Sequence, residues 1–202
     1  LTGYDGIVVS PGVPINRHPI AAKAKATGIP LIGDIELISI ARPYLPPHRV
    51  IGITGSNGKS TTTALVHHLL KSAALPTRMA GNIGLPILSQ APLAAGGVYV
   101  LELSSYQIDI THTLACEAAE LINLSPDHLD RYDGYSGYMA SKGRLFEMQT
   151  AKQHSVFGKG DDDTARIYHD VLARRGSAVV HLANPALVRG QADWPSLQGP
   201  HN

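Results

Sequence analysis

The segment Gly52-Ile-Thr-Gly-Ser-Asn-Gly-Lys-Ser60 constrains this chain more than any other feature. It follows a β-branched run, Arg49 to Thr54, and leads into Ser60 to Ala74. There Leu65, Val66, Leu69, Leu70 and Ala73 recur with helical period, with His67, His68 and Lys71 on the other side. A glycine-rich turn between a strand and a helix lets backbone N–H groups crowd around phosphate oxygens, and the helix N-terminus adds partial positive charge. Lys59 would reach the terminal phosphates and the Ser60 hydroxyl would ligate Mg²⁺, with Gly55, Ser56, Asn57, Gly58 and Thr61 completing the cradle. The general pattern has a glycine where Ile53 stands; Gly52 and Gly55 flank it. Nucleotide binding follows from this segment, but the reaction does not, because phosphate loops serve kinases, GTPases and ligases alike. The chain contains no N-K-x-D base-recognition sequence, which weighs against a GTPase.

The rest of the sequence repeats the strand–turn–helix alternation. Strands are expected at Gly6 to Ser10, Pro30 to Ile32, Val98 to Leu103, Ala118 to Leu124, Ser155 to Phe157 and Ala178 to Leu182. Helices are expected at Ile20 to Thr27, Ile35 to Ala41, Tyr138 to Phe146 and Thr164 to Arg175, and Arg42 to His48 reads as a proline-rich connector. This order means an α/β fold, a mostly parallel sheet covered by helices. The charged fraction is 16%, against roughly 25% in an average soluble domain, which suits strands buried on both faces.

Charge and cysteine content exclude several function classes. Net charge is +1, with no clustered basic run, so no nucleic-acid or anionic-membrane partner is expected. A single cysteine, Cys116, excludes a disulfide framework and a thiolate metal cage, and fits a reducing, cytoplasmic setting. The charge-free stretch Met79 to Leu101 is long enough to span a bilayer, yet Asn82, Pro86, Gln90 and Pro92 would leave backbone groups unsatisfied in lipid. No leader and no membrane insertion are expected.

Three polar groups fall where strands end. Glu102 is a lone carboxylate in the apolar run VYVLELSS; it either meets a metal or cation, or faces water at the rim. Asp127-His128-Leu-Asp130 follows a strand and could ligate Mg²⁺, polarise a water or form a solvated cap. Lys142 lies four residues after Tyr138, on the same helix face, and by spacing alone is an ordinary surface lysine. Asp161-Asp162-Asp163 lacks the alternating ligands of a calcium loop and reads as a turn with a helix cap.

The combination GITGSNGKST, AGNIGLP (Ala80 to Pro86), LELSSYQ (Leu101 to Gln107), NLSPDHLDRY (Asn123 to Tyr132) and YMASKGRLF (Tyr138 to Phe146) resembles the Mur ligases, in their order. SPGV (Ser10 to Val13) and GDIEL (Gly33 to Leu37) are most similar to the family member that joins D-glutamate to UDP-N-acetylmuramoyl-L-alanine. The resemblance implies a P-loop NTPase-like central domain over residues 34–202, preceded in residues 1–33 by the tail of a Rossmann-like UDP-substrate domain. On this resemblance the family's C-terminal domain is not expected within these residues, and Gly199-Pro-His-Asn202 is similar to the start of the family's G-x-H-N element. It further implies an ATP-dependent acid–amino-acid ligase of peptidoglycan synthesis, acting through an acyl phosphate as a monomer. Lys59, His128 and Lys142 would be its catalytic residues. Ser60 and Glu102 would hold one Mg²⁺ and His128 with a carbamylated Lys142 a second, while Asn82 and Ser104 would lie near substrate and nucleotide. Alternatives are a sister ligase such as folylpolyglutamate synthase, or a nucleotide-binding module without activity.

Overall fold

Alternating apolar strands and glycine-capped helices give a computed structural model in which residues 3–184, 187–190 and 193 are described. The chain opens with a small parallel pair, β1 (Ile7–Val8) and β2 (Leu31–Ile32), joined through helix α1 (Pro19–Thr27). Gly28 ends α1 at φ 69°, a left-handed conformation that a residue with a Cβ resists. Helix α2 (Asp34–Ala41) and a 3₁₀ turn at Arg42–Tyr44 lead to the main sheet, so the proline-rich connector is partly ordered and ends as β3 begins.

Among the described residues the main sheet has six strands, all parallel. In chain order they are β3 (His48–Thr54), β4 (Thr77–Gly81), β5 (Gly97–Glu102), β6 (Ala118–Leu121), β7 (His154–Phe157) and β8 (Val180–Leu182). Their spatial order is β4-β5-β3-β6-β7-β8. The expected α/β class is therefore the observed one. From β3 the chain crosses to the edge strand β4, returns inward to β5, and then runs outward on the other side of β3 through β6, β7 and β8. The order therefore reverses beside β3, where open α/β sheets bind ligands at their carboxyl ends.

Helix α3 (Lys59–Ser72) covers β3, β4 and β5. The opposite face holds the larger core, where Leu101, Leu121, Leu145, Phe146 and Phe157 are buried among α5 (Gly134–Glu147) and α6 (Asp162–Arg175). β5 is buried at every position, which explains its unbroken apolar run.

One expectation needs correction, and two elements go beyond the sequence reading. The buried side of α3 is Thr63, Val66 and Leu70, whereas Leu65 and Leu69 are 38% and 59% exposed; sheet contact, not apolar content, selects the face. β4 was not expected, because a short edge strand carrying Arg78 and ending in glycine lacks a strong apolar pattern. Helix α4 (Ser105–Asp109) was also not expected; it starts at a capping box of Ser104 and Gln107. The stretch Met79 to Leu101 spans the end of β4, a 3₁₀ turn and most of β5, and no described helix is long and apolar enough to cross a membrane. Residues Gly199 to Asn202 lie outside the described residues.

Candidate active site

β3 delivers Thr54 to the carboxyl edge of the sheet, and Gly55 to Gly58 then turn the chain into α3. Gly58 sits at the N-cap with φ +81°, and α3 has no side-chain cap there. Its first N–H groups are therefore available to an anion. Residues beyond β6 hold this loop from one side. Ser56 N donates to Asn123 O at 2.9 Å, and Asn57 N to Asn123 Oδ1 at 2.9 Å. Ser125 N donates to Ser56 Oγ at 2.9 Å, while Ser56 Oγ donates to Ser125 O at 3.0 Å and lies 3.1 Å from the Tyr138 hydroxyl. The strand expected to run to Leu124 stops at Leu121 because residues 123–125 serve as this support.

Two lysines converge behind the loop. Lys59 Nζ donates to Gly55 O and Ser56 O, each at 2.9 Å. Lys142 Nζ donates to the same Gly55 O at 2.9 Å and to Thr54 Oγ1 at 3.3 Å. Lys142 is 1% exposed, unlike the surface lysine its spacing suggests, because α5 buries the whole face of Tyr138, Ser141, Lys142 and Leu145. Burial first, and the nearby Lys59 charge second, lower its pKa to about 7. Its amine is thus substantially neutral at physiological pH.

Glu102 ends β5 paired with Ile53, two residues before Gly55, and is 1% exposed. Asn82 Nδ2 donates to its Oε1 at 2.8 Å, but Oε2 is buried with no partner. An unpartnered buried carboxylate oxygen is costly, and a cation is one group that would answer it. The rim alternative for Glu102 is thereby set aside. Ser60 and Thr61 are exposed on the first turn of α3. No group of three or more His, Cys, Asp or Glu side chains converges among the described residues. Magnesium at this edge would therefore draw most of its oxygens from phosphates and water, as it commonly does. The donor set fits a magnesium-bound triphosphate.

His128 is further out. Its backbone is left-handed at φ 51°, and its exposed ring lies 3.5 Å from Asp127 Oδ2. The ring centroid is 6.3 Å from that of Tyr138, and Lys142 Nζ lies 4.8 Å over the same Tyr138 ring. Tyr138 thus borders both groups. Ser104 is committed to its cap: its hydroxyl donates to Gln107 Oε1 at 3.1 Å and accepts from Gln107 N at 3.3 Å. Asn82 lines a cleft of about 510 Å³ that also includes Ser10, Pro11, Gly12, Asp34 and Gln107. Sequence reasoning gave no individual role to Asn123, Ser125 or Tyr138: the first two are polar side chains just after the end of β6 and the third is a helical tyrosine, each a weak signal in one sequence.

Fold and site together define a phosphate-loop α/β domain. A family model described as the Mur ligase middle domain matches residues 53–187. The chain therefore belongs to the Mur ligase family. Among curated proteins it is 66% identical over 202 residues to the UDP-N-acetylmuramoylalanine--D-glutamate ligase of Novosphingobium aromaticivorans and 57% identical to that of Sphingopyxis alaskensis. Each match covers 100% of this chain and 46% of the relative, so the chain spans about half the length of those relatives. Among solved structures, the UDP-N-acetylmuramate:L-alanyl-gamma-D-glutamyl-meso-diaminopimelate ligase from Neisseria meningitides aligns with TM-score 0.56 at 17% identity, over 88% of this chain and 57% of that one. MurF from Acinetobacter baumannii aligns with TM-score 0.56 at 20% identity, over 74% and 33%. At these identities the likeness is one of fold.

Proposed function

We propose that this chain forms the nucleotide-binding centre of an ATP-dependent ligase that joins D-glutamate to UDP-N-acetylmuramoyl-L-alanine for peptidoglycan. The observation that carries the reading is the meeting of Lys59 and Lys142 on one carbonyl behind the phosphate loop, beside the unpartnered oxygen of Glu102. The relatives whose names state this reaction support the choice of substrates.

Phosphoryl transfer needs charge neutralisation and in-line positioning more than covalent help. Lys59 and the amides of Gly55 to Thr61 would hold the β- and γ-phosphates. Ser60 and Glu102 would hold one Mg²⁺, and His128 with Lys142 a second; bound Mg²⁺ neutralises charge on the transferring group. The neutral amine of Lys142 suits capture of CO₂, and the resulting carbamate would reverse its charge toward the metal. The cleft lined by Asn82 would take the UDP-muramoyl substrate, with Ser104 ordering its floor through the cap.

A carboxylate oxygen of the alanyl group bonds to the γ-phosphorus as the bond to the ADP oxygen breaks, giving an acyl phosphate. The D-glutamate amine then attacks the acyl carbon. Collapse of the tetrahedral species expels phosphate, which carries away the former carboxylate oxygen, and the amine proton is lost. We further assign residues 1–33 to the tail of the UDP-substrate domain and 34–202 to the central domain, in a monomeric cytoplasmic enzyme. Phosphate release by the protein expressed from its complete reading frame tests the reading. Release is expected to require ATP, UDP-N-acetylmuramoyl-L-alanine and D-glutamate together; release indifferent to the amino acid would contradict it.

A further inference from the structure

Arg131 stands three residues after His128 and outside the phosphate cradle. Its guanidinium donates to three successive carbonyls of the first segment: Pro11 at 3.2 Å, Gly12 at 3.0 Å and Val13 at 2.9 Å. Its Cζ lies 4.0 Å from the centroid of the Tyr106 ring, and that ring in turn packs 4.9 Å from the ring of His128. The contact is returned from the other side, where Asn16 Nδ2 and Arg17 donate to Asp130 O at 3.3 and 2.7 Å. The Pro11–Val13 turn is not part of a strand or helix. Within the turn it is held by Val13 N donating to Ser10 O and Gly12 N donating to Ser10 Oγ. Pro11 and Gly12 line the same cleft as Asn82.

A planar guanidinium spreads its donors over three carbonyls while its carbon sits over an aromatic face, whereas a lysine places all its donors on one nitrogen and covers less of either. We infer that Arg131 is a positioning residue that fixes the Ser10–Val13 wall of the cleft and, through Tyr106, the ring of His128 in one arrangement. It acts on the substrate that occupies the cleft rather than on ATP. The inference rests on the reading that this cleft takes the UDP-muramoyl substrate. Small misplacements of such a wall reach the reacting atoms, because attack needs the carboxylate held within about an ångström of its in-line position.

The test is steady-state kinetics of the protein expressed from its complete reading frame, with thermal unfolding measured in parallel. Arg131→Lys is expected to raise KM for UDP-N-acetylmuramoyl-L-alanine at least ten-fold, keep KM for ATP within two-fold, and keep the unfolding midpoint near that of the wild type. Tyr106→Leu, which removes the stacking face, should raise the same KM, and Tyr106→Phe, which keeps it, should restore it. Unchanged kinetics in Arg131→Lys, or equal rises in both KM values, would overturn the inference while leaving the ligase reading intact. A wild-type protein that releases no phosphate with all three substrates would overturn the ligase reading and this inference with it.

Discussion

Lys142 concentrates the physical tension of this molecule. A lysine that titrates near 7 in the folded chain and near 10.5 when unfolded lowers stability wherever the unfolded state binds the extra proton more readily. The penalty is complete below about pH 7 and fades as pH rises toward 10.5. Lys142→Met should therefore stabilise the protein by a few kcal/mol at pH 6–7, with the gain shrinking by pH 9. Urea unfolding at three pH values measures this, and a gain that grows with pH would refute it. In the active protein Lys142→Ala should lose most activity and partly regain it with added short carboxylic acids, since these can replace a carbamate as anionic ligand. Full activity without them would remove the carbamate from the mechanism. The sequence marks Glu102 as unusual because a carboxylate interrupts an apolar strand, but it hides the burial of Lys142. That burial is a property of how α5 lies on the sheet, which spacing does not encode.

At the scale of elements, single residues join pieces far apart in sequence. Asp161 caps α6 by accepting from Thr164 N at 2.7 Å and also accepts from Leu124 N at 3.2 Å, next to the residues that support the phosphate loop. Asp161→Ala should cost about 1–2 kcal/mol by chemical denaturation, the usual cost of a lost cap with one further bond. Gly81 ends β4 at φ +99°, and a Cβ there would stand 2.1 Å from Glu102 O. Gly81→Ala should therefore separate β4 from β5 and weaken magnesium-nucleotide binding at least ten-fold by calorimetry, more than its loss of stability alone would give. Helices with strong period or a clear cap, such as α1 and α6, were legible within about two residues. β4 and α4 were not, because an edge strand and a five-residue helix draw their stability from neighbours rather than from their own pattern.

At the scale of the whole molecule the candidate site lies at the carboxyl edge beside β3, where strands β4, β5 and β6 end in Gly81, Glu102 and Leu121. Strand–helix alternation makes that edge foreseeable, and the glycine-rich turn identifies which strand feeds it. The cleft was not foreseeable, since its walls come from residues 8–12, 34, 81, 82, 84, 86 and 107, which only the folded chain brings together. The central claim is that this edge activates a carboxylate by phosphorylating it. Isotopic labelling tests it most directly: UDP-N-acetylmuramoyl-L-alanine carrying ¹⁸O in its carboxylate is turned over with ATP and D-glutamate, and the released phosphate is examined by mass spectrometry. An acyl phosphate requires one labelled oxygen in each phosphate formed. Unlabelled phosphate would mean that water, not the substrate carboxylate, attacks ATP, and would contradict the mechanism.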